Sequence, residues 1–489
     1  MKRSCGILMP IFSLPSKYCI GSFGKESRDF INFLQKSGHS YWQLLPLNPT
    51  SYGDSPYQSF SAFALNPYFI DLDGLIKLNY LTKEDVACEQ FNQYIDYGKL
   101  YIERFKLLRK AYQNALNMNI KPKLEKFIKK NKEWLKDYAC FMVLKGLNDG
   151  NSWQEWSDEY RYHSAELVSK IEKNYDEEYY FWVFLQYLAF SQYLKLKSYA
   201  NKHGVYIIGD IPIYVALDSS DVWSNPDLFK LDENRRPTTV AGVPPDYFSA
   251  DGQLWGNPLY DYDKMSKDNY AWWRYRVKKC AELFDSLRID HFRGIDEYWS
   301  VKSGEKTARV GEWLKGPGIN LINALKEAAP TMQFIAEDLG LLTNSVIELK
   351  NQSGWPGMKV YEFAFDSGYS NAFLPHNYEK NCVAYIGTHD NDTIANFIKE
   401  NPSLHGFMKE YLHIDSVDNI IDTMIGTLYR SNADLVIVTI QDILHQGGEA
   451  RINTPGTLGT NWTYRLNKKV FTKSLSEHLK ALADESGRR

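Results

Sequence analysis

The sequence predicts an α/β fold: a (β/α)8 TIM barrel with large inserted helical and loop subdomains. Three observations predict it. Short, continuous apolar runs recur at residues 6–9, 41–47, 205–213, 286–292, 333–339, 358–363, 382–388 and 435–443. These read as strands of a parallel sheet buried on both faces. Helical periodicity separates several of them. Three of the runs end on an acidic residue followed by a Gly or a polar turn: Asp290, Glu337 and Asp390. In a parallel barrel every strand opens its C-terminal end on one face, where the active site lies.

Taken in order, the first run is followed by a helix over 27–36, with Phe30, Ile31, Phe33 and Leu34 on one side and Gly38 just past its end, a good C-terminal stop. Residues 49–204 then form a gap far longer than a normal βα unit. The gap opens with a Pro/Ser/Tyr/Gly-rich loop over 48–68 and continues as Lys/Glu/Tyr-rich helical sequence over 99–115, 123–145 and 177–201. This is read as a mostly helical subdomain inserted into the barrel. Within it the apolar stretch 179–190 is interrupted by Gln186 and followed by Gln192, Lys195 and Lys197. It falls short of the roughly 18 apolar residues of a membrane span, so a buried helix is expected. The gap 215–270 is rich in Pro, Gly, Asp and aromatics and is read as an inserted lid or substrate-binding loop region. Helices over 272–284 and 319–328 complete the alternation. Residues 1–489 make one catalytic barrel, with no internal repeat or separable linker.

Composition narrows the function. The formal charge is −3 and charged residues are 24% of the chain, which gives no reason to expect nucleic acid or acidic lipid as a partner. Aromatics are 15%, with 34 Tyr and 13 Trp among them. Sugar rings stack their C–H faces on aromatic faces, so this excess fits a carbohydrate binder as well as an aromatic core. The six cysteines (Cys5, Cys19, Cys88, Cys140, Cys280, Cys382) are scattered and form no C-x-x-C pair. That argues for a reducing, cytoplasmic setting and against a zinc or disulfide framework. The first ten residues are too short in apolar run to be a signal peptide.

The acids carry the chemistry. A retaining glycoside reaction needs two carboxyl groups roughly 5–5.5 Å apart, one attacking the anomeric carbon and one protonating the leaving oxygen. Arg288 and Asp290 are two apart on a strand and share a face, which sets a positive charge beside the nucleophile. Glu337 follows Phe334, Ile335 and Ala336. Burial among them, with the like charge of Asp290, raises its pKa toward that of a general acid. Asp390 would accept hydrogen bonds from sugar hydroxyls as the ring flattens. One acid at a strand end is commonly a helix cap or ion-pair partner, and Asp338 and Asp392 are assigned there. The His-Asp-Asn-Asp run at 389–392 could also ligate a metal, but no H-x-H or H-x-x-x-H pair stands near a strand.

Several motifs resemble those of the amylomaltases, 4-α-glucanotransferases of the α-amylase clan. They are Arg-Ile-Asp-His-Phe-Arg-Gly (288–294), Ala-Glu-Asp-Leu-Gly (336–340), Gly-Thr-His-Asp-Asn-Asp-Thr (387–393), residues 42–49, Ser-Tyr-Gly-Asp-Ser-Pro-Tyr-Gln-Ser (51–59), Gly-Asp-Ile-Pro-Ile (209–213), Gly-Val-Pro-Pro-Asp-Tyr-Phe-Ser (242–249), Gly-Gln-Leu-Trp-Gly-Asn-Pro (252–258) and Asn-Trp-Thr (461–463). The likeness runs from about residue 6 to 465. It implies Asp290 as nucleophile, Glu337 as acid/base and Asp390 as transition-state stabiliser. It also implies sugar-binding roles for Ser55, Tyr57, Asp210, Trp255, Arg288, His291, His389 and Asn461. Tyr247 and Phe248 would shape the acceptor side, and Tyr52 would belong to a further glucan groove. Maltooligosaccharides and α-1,4-glucans are the implied partners, with no cofactor and no metal. Cys19 and Leu65 stand where the pattern has Gly, away from the acids. The extra N-terminal domains of some family members are expected to be missing. An α-glucan hydrolase, a silent glycan-binding barrel and a metal-dependent hydrolase are the alternatives.

Overall fold

The computed structural model describes residues 2–88, 92–245, 249–340, 342–467 and 469–489. Eight parallel strands form one sheet: β1 (Ser4–Leu8), β2 (Tyr41–Gln43), β3 (Tyr206–Pro212), β4 (Ser286–Asp290), β5 (Gln333–Ala336), β6 (Gly357–Val360), β7 (Cys382–Tyr385) and β8 (Leu435–Thr439). Their order in space is β6-β7-β8-β1-β2-β3-β4-β5. The remaining seam is bridged by the Ala336 N–H, which donates to the Pro356 carbonyl at 2.9 Å. The sheet therefore curls into a barrel, as the alternating strand and helix pattern predicts. Each expected run contains a strand, but the strands stop earlier than the apolar runs do. Leu44, Leu45 and Leu47 lie beyond β2 and are still buried, as are Ile440 and Ile443 beyond β8. Loops on the C-terminal face are covered by the insertions, so burial continues after the ladder ends.

Between β2 and β3 the chain runs through helices Tyr97–Asn117, Lys121–Lys130, Leu135–Leu147, Ala165–Asn174 and Asp176–Lys202. The single helix expected over 123–145 is two helices. Asn131 ends the first of them, its side-chain N–H donating to the Phe127 carbonyl at 3.0 Å. Helix Asp176–Lys202 is apolar on most sides because it is the buried axis of the insertion. Its fully buried Gln186 accepts from the Leu65 N–H at 2.8 Å and donates to the Leu65 carbonyl at 2.9 Å. It thereby fastens the loop that leads from β2 toward the open face of the barrel.

The segment read as a loop region contains two strands, Thr239–Val243 and Gln253–Pro258. They join Glu297–Lys302 and Glu312–Lys315 in a four-stranded antiparallel sheet beside the barrel mouth. Pro and Gly content hid it, since both residues are depleted in strands. Gly242 is there for close approach: a Cβ would sit 2.6 Å from the Gln253 carbonyl oxygen. The opposite end of the barrel is closed by the buried Arg488. It donates to the carbonyls of Tyr429 (2.7 Å), Ser431 (3.0 Å), Ser4 (3.1 Å) and Asp434 (3.4 Å). Among the described residues no helix is long and apolar enough to cross a membrane.

Candidate active site

Register builds the centre. Asp210 on β3 pairs with Arg288 on β4, and the two side chains meet at 2.7–2.8 Å through one guanidinium nitrogen. The other terminal nitrogen of Arg288 lies 2.8 Å from Asp290, the last residue of β4. Its Nε faces the Met358 sulfur of β6 at 3.4 Å. Burial opposes the charge on Arg288, but Asp210 and Asp290 together hold the guanidinium well above its ordinary pKa. Asp210 is fully buried, and its second partner is the Tyr57 hydroxyl, which donates to it at 2.8 Å. Since that proton is spent, the 2.9 Å contact between Tyr57 and His389 is a bond donated by His389 Nε2. The two rings stack at 5.2 Å and 13°.

Glu337 follows β5 directly. Ile289 and Ala336 are paired across β4 and β5, so Asp290 and Glu337 are the next positions on adjacent strands. Strand spacing of about 4.8 Å sets the two residues side by side, near enough for the charge of Asp290 to act on Glu337. The Glu337 carboxylate accepts from the His291 N–H at 2.7 Å and the Leu339 N–H at 3.0 Å. Even so its pKa is pushed up to about 7, first by burial and then by the negative charge of Asp290. His291 adopts the left-handed conformation, φ 58°, uncommon for a residue with a side chain. This turn aims its N–H at Glu337. Burial lowers the His291 pKa to about 4, so the ring is neutral near pH 7. Among the described residues its Nε2 has no hydrogen-bond partner, and the Trp255 ring stands perpendicular to it at 4.8 Å.

Asp390 is the most open of the three acids, its side chain 44% exposed. It receives the Asn453 side-chain N–H at 2.6 Å and lies 3.3 Å from His389 Nε2. All three acids, with Ser55, Tyr57, Trp255, Arg288, His291, His389 and Asn461, line one cleft of about 450 Å3. Asp210 stands beneath it. Asp338 and Asp392 are structural: Asp338 accepts the Met358 N–H at 2.7 Å, and Asp392 accepts from the Asn396 side chain at 2.8 Å. Among the described residues no group of three or more His, Cys, Asp or Glu side chains is arranged to hold a metal ion.

The model of the family described as 4-alpha-glucanotransferase matches residues 9–471 of the chain. The chain belongs to the 4-alpha-glucanotransferase family. A 4-alpha-glucanotransferase of Clostridium butyricum is 49% identical over 486 residues, covering 98% of this chain and 100% of that relative. The amylomaltase of Streptococcus agalactiae, solved in complex with acarbose, has a TM-score of 0.96 at 38% identity, over 100% of both chains. The amylomaltase of Corynebacterium glutamicum has a TM-score of 0.79 at 17% identity, over 100% of this chain and 75% of that one. This last likeness speaks for the fold alone.

For this glucanotransferase family member, the cleft differs from the sequence reading in several particulars. The Asn461 amide is engaged within its own loop, accepting from the Thr454 N–H at 3.0 Å and donating to the Thr457 carbonyl at 2.9 Å. The asparagine whose amide reaches Asp390 in the cleft is Asn453, which sequence reasoning missed. Its signal was weak, a lone Asn in a Pro/Gly-rich loop, and its partner lies 63 residues away in the chain. Gln253 was missed too; it lines the cleft and accepts from Trp255 Nε1 at 3.2 Å. Ser55 lines the wall and caps its own turn, accepting the Tyr57 N–H at 3.3 Å. Tyr247 and Phe248 lie outside the described residues, as does the side chain of Tyr52.

Proposed function

We propose that this protein transfers a segment of an α-1,4-glucan to the 4-hydroxyl of an acceptor glucan or glucose by a retaining double displacement. Maltooligosaccharides and α-1,4-glucans are both donor and acceptor. In the first step an Asp290 carboxylate oxygen attacks the anomeric carbon, and the bond to the leaving glucan's O4 breaks. Glu337 gives its proton to that oxygen. In the second step the ionised Glu337 takes the proton from the acceptor's 4-hydroxyl, whose oxygen displaces Asp290. Asp390 stabilises the flattened, positively charged sugar ring in both steps. Arg288 balances the charge of Asp290 and Asp210, and Asp210 with Tyr57 and His389 forms the rigid floor of the donor subsite. The unpartnered Nε2 of neutral His291 serves a sugar hydroxyl. Trp255 and Trp462 supply apolar faces for the rings. The buried thiols Cys5, Cys19, Cys140, Cys280 and Cys382 fit a reducing cytoplasm.

The observation that carries this reading is the pairing of Asp290 beside Arg288 with a neighbouring Glu337 whose proton is retained to about pH 7. Incubation with maltotriose tests it. A ladder of longer maltooligosaccharides together with glucose is expected. Maltose and glucose alone would mean hydrolysis, and no product at all would leave a binding protein.

A further inference from the structure

We infer that Arg451 is a positioning residue for Asp390, acting through Asn453. Arg451 lies in the loop after β8, outside the set of residues that line the cleft. Its guanidinium joins two loops. Nη2 donates to the Asp390 carbonyl at 3.0 Å, Nε donates to the Asn453 carbonyl at 2.9 Å, and Nη1 lies 3.4 Å from the Asp392 carboxylate. The Asn453 N–H donates to the His389 carbonyl at 3.1 Å. Those bonds fix Asn453 so that its amide meets the Asp390 carboxylate at 2.6 Å.

The arrangement answers a problem of placement. Asp290 ends a strand and Glu337 follows one, and both are held by buried neighbours. Asp390 sits on a loop after β7 with nearly half its side chain open, and its own backbone N–H reaches only the Thr388 hydroxyl, at 3.3 Å. A catalytic group needs to be held to within about 0.5 Å, which a loop carboxylate does not achieve unaided. A planar guanidinium can engage two carbonyls and a carboxylate at once, where a lysine ammonium offers a single point charge. Beneath the same loop lie the buried carboxyls of Glu362 and Asp442. The Arg451 charge acts on Glu362 against the rise that burial causes.

The inference rests on Asp390 as the transition-state stabiliser, and the test separates the two. A maltosyl fluoride donor leaves without the proton of Glu337, so single-turnover fluoride release reads Asp290 attack and Asp390 stabilisation alone. Arg451→Lys should slow release by about tenfold or more with the donor's half-saturation concentration within about threefold of wild type. Asn453→Ala should do the same. In an Asp390→Asn background, Arg451→Lys should cost less than about twofold further. Equal slowing by Arg451→Lys in the wild-type and Asp390→Asn backgrounds would overturn the inference, as would a rate within about twofold of wild type for Arg451→Lys. Should Arg451→Lys not fold, Asn453→Ala in both backgrounds decides by the same criteria. If Asp390→Asn itself releases fluoride at the wild-type rate, the stabiliser reading falls independently.

Discussion

At the scale of single residues, the account turns on one carboxyl kept protonated beside one kept ionised. Glu337 is pushed to about 7 by burial and by Asp290. In maltotriose turnover, kcat/KM should therefore fall above about pH 7 as the acid is lost. That basic limb should be absent for fluoride release, and absent in Glu337→Gln, which should still accept a fluoride donor. The same shift has a stability consequence with a definite sign. Between pH 4.5 and 7 the folded state holds a proton that the unfolded state has released, so this group's contribution declines as pH rises. Glu337→Gln removes the penalty. Thermal unfolding should show the variant more stable than wild type at pH 8 and equal to it at pH 4. Arg288 and His291 were legible because each sits within two residues of Asp290 at the end of β4, and His389 because it adjoins Asp390, the acid that follows the apolar run of β7. Asn453 and Arg451 were not, because their meaning comes from a contact between loops that no local pattern records.

At the scale of elements, strand register does the placing. Asp210 and Arg288 face each other because β3 and β4 are paired at those residues, and Asp290 and Glu337 are neighbours because Ile289 pairs with Ala336. A disturbance in β3 should thus reach the chemistry. At Gly209, next to Asp210, an added Cβ would lie 2.3 Å from the buried Phe284 ring. Gly209→Ala should destabilise the fold by about 1–3 kcal/mol and lower kcat, read by thermal unfolding and maltotriose turnover. Wild-type values of both would show that this contact does not set the strand's position. All eight strands were legible as apolar runs, but their ends were not. Leu44 to Leu47 and Ile440 to Ile443 remain buried after the ladder stops, so composition cannot mark the boundary. The antiparallel sheet carrying Trp255 was missed because the strand that bears it, Gln253–Pro258, ends in Gly-Asn-Pro, residues that ordinarily mark turns.

At the scale of the whole molecule, the barrel separates function from stability by its two ends. The acids and the cleft occupy the C-terminal ends of the strands, and the Arg488 plug occupies the other. Arg488→Ala would remove a buried guanidinium from four carbonyls, of which Tyr429 and Ser431 keep Arg3 as a donor and Asp434 keeps the Ser4 N–H. It should lower stability by roughly 3 kcal/mol while kcat at 25 °C stays within about twofold of wild type. A large loss of kcat without a fall in thermal stability would show that the two ends are coupled. The central claim, that a glycosyl group is carried on Asp290, is tested most directly by trapping it. Glu337→Gln incubated with a maltosyl fluoride should accumulate a covalent glycosyl enzyme, because the fluoride leaves unaided and the base for the second step is missing. Peptide mass mapping should place the added maltosyl mass on Asp290. Label on a carboxylate other than Asp290, or turnover of the fluoride to a product of inverted configuration with no labelled peptide, would contradict the account.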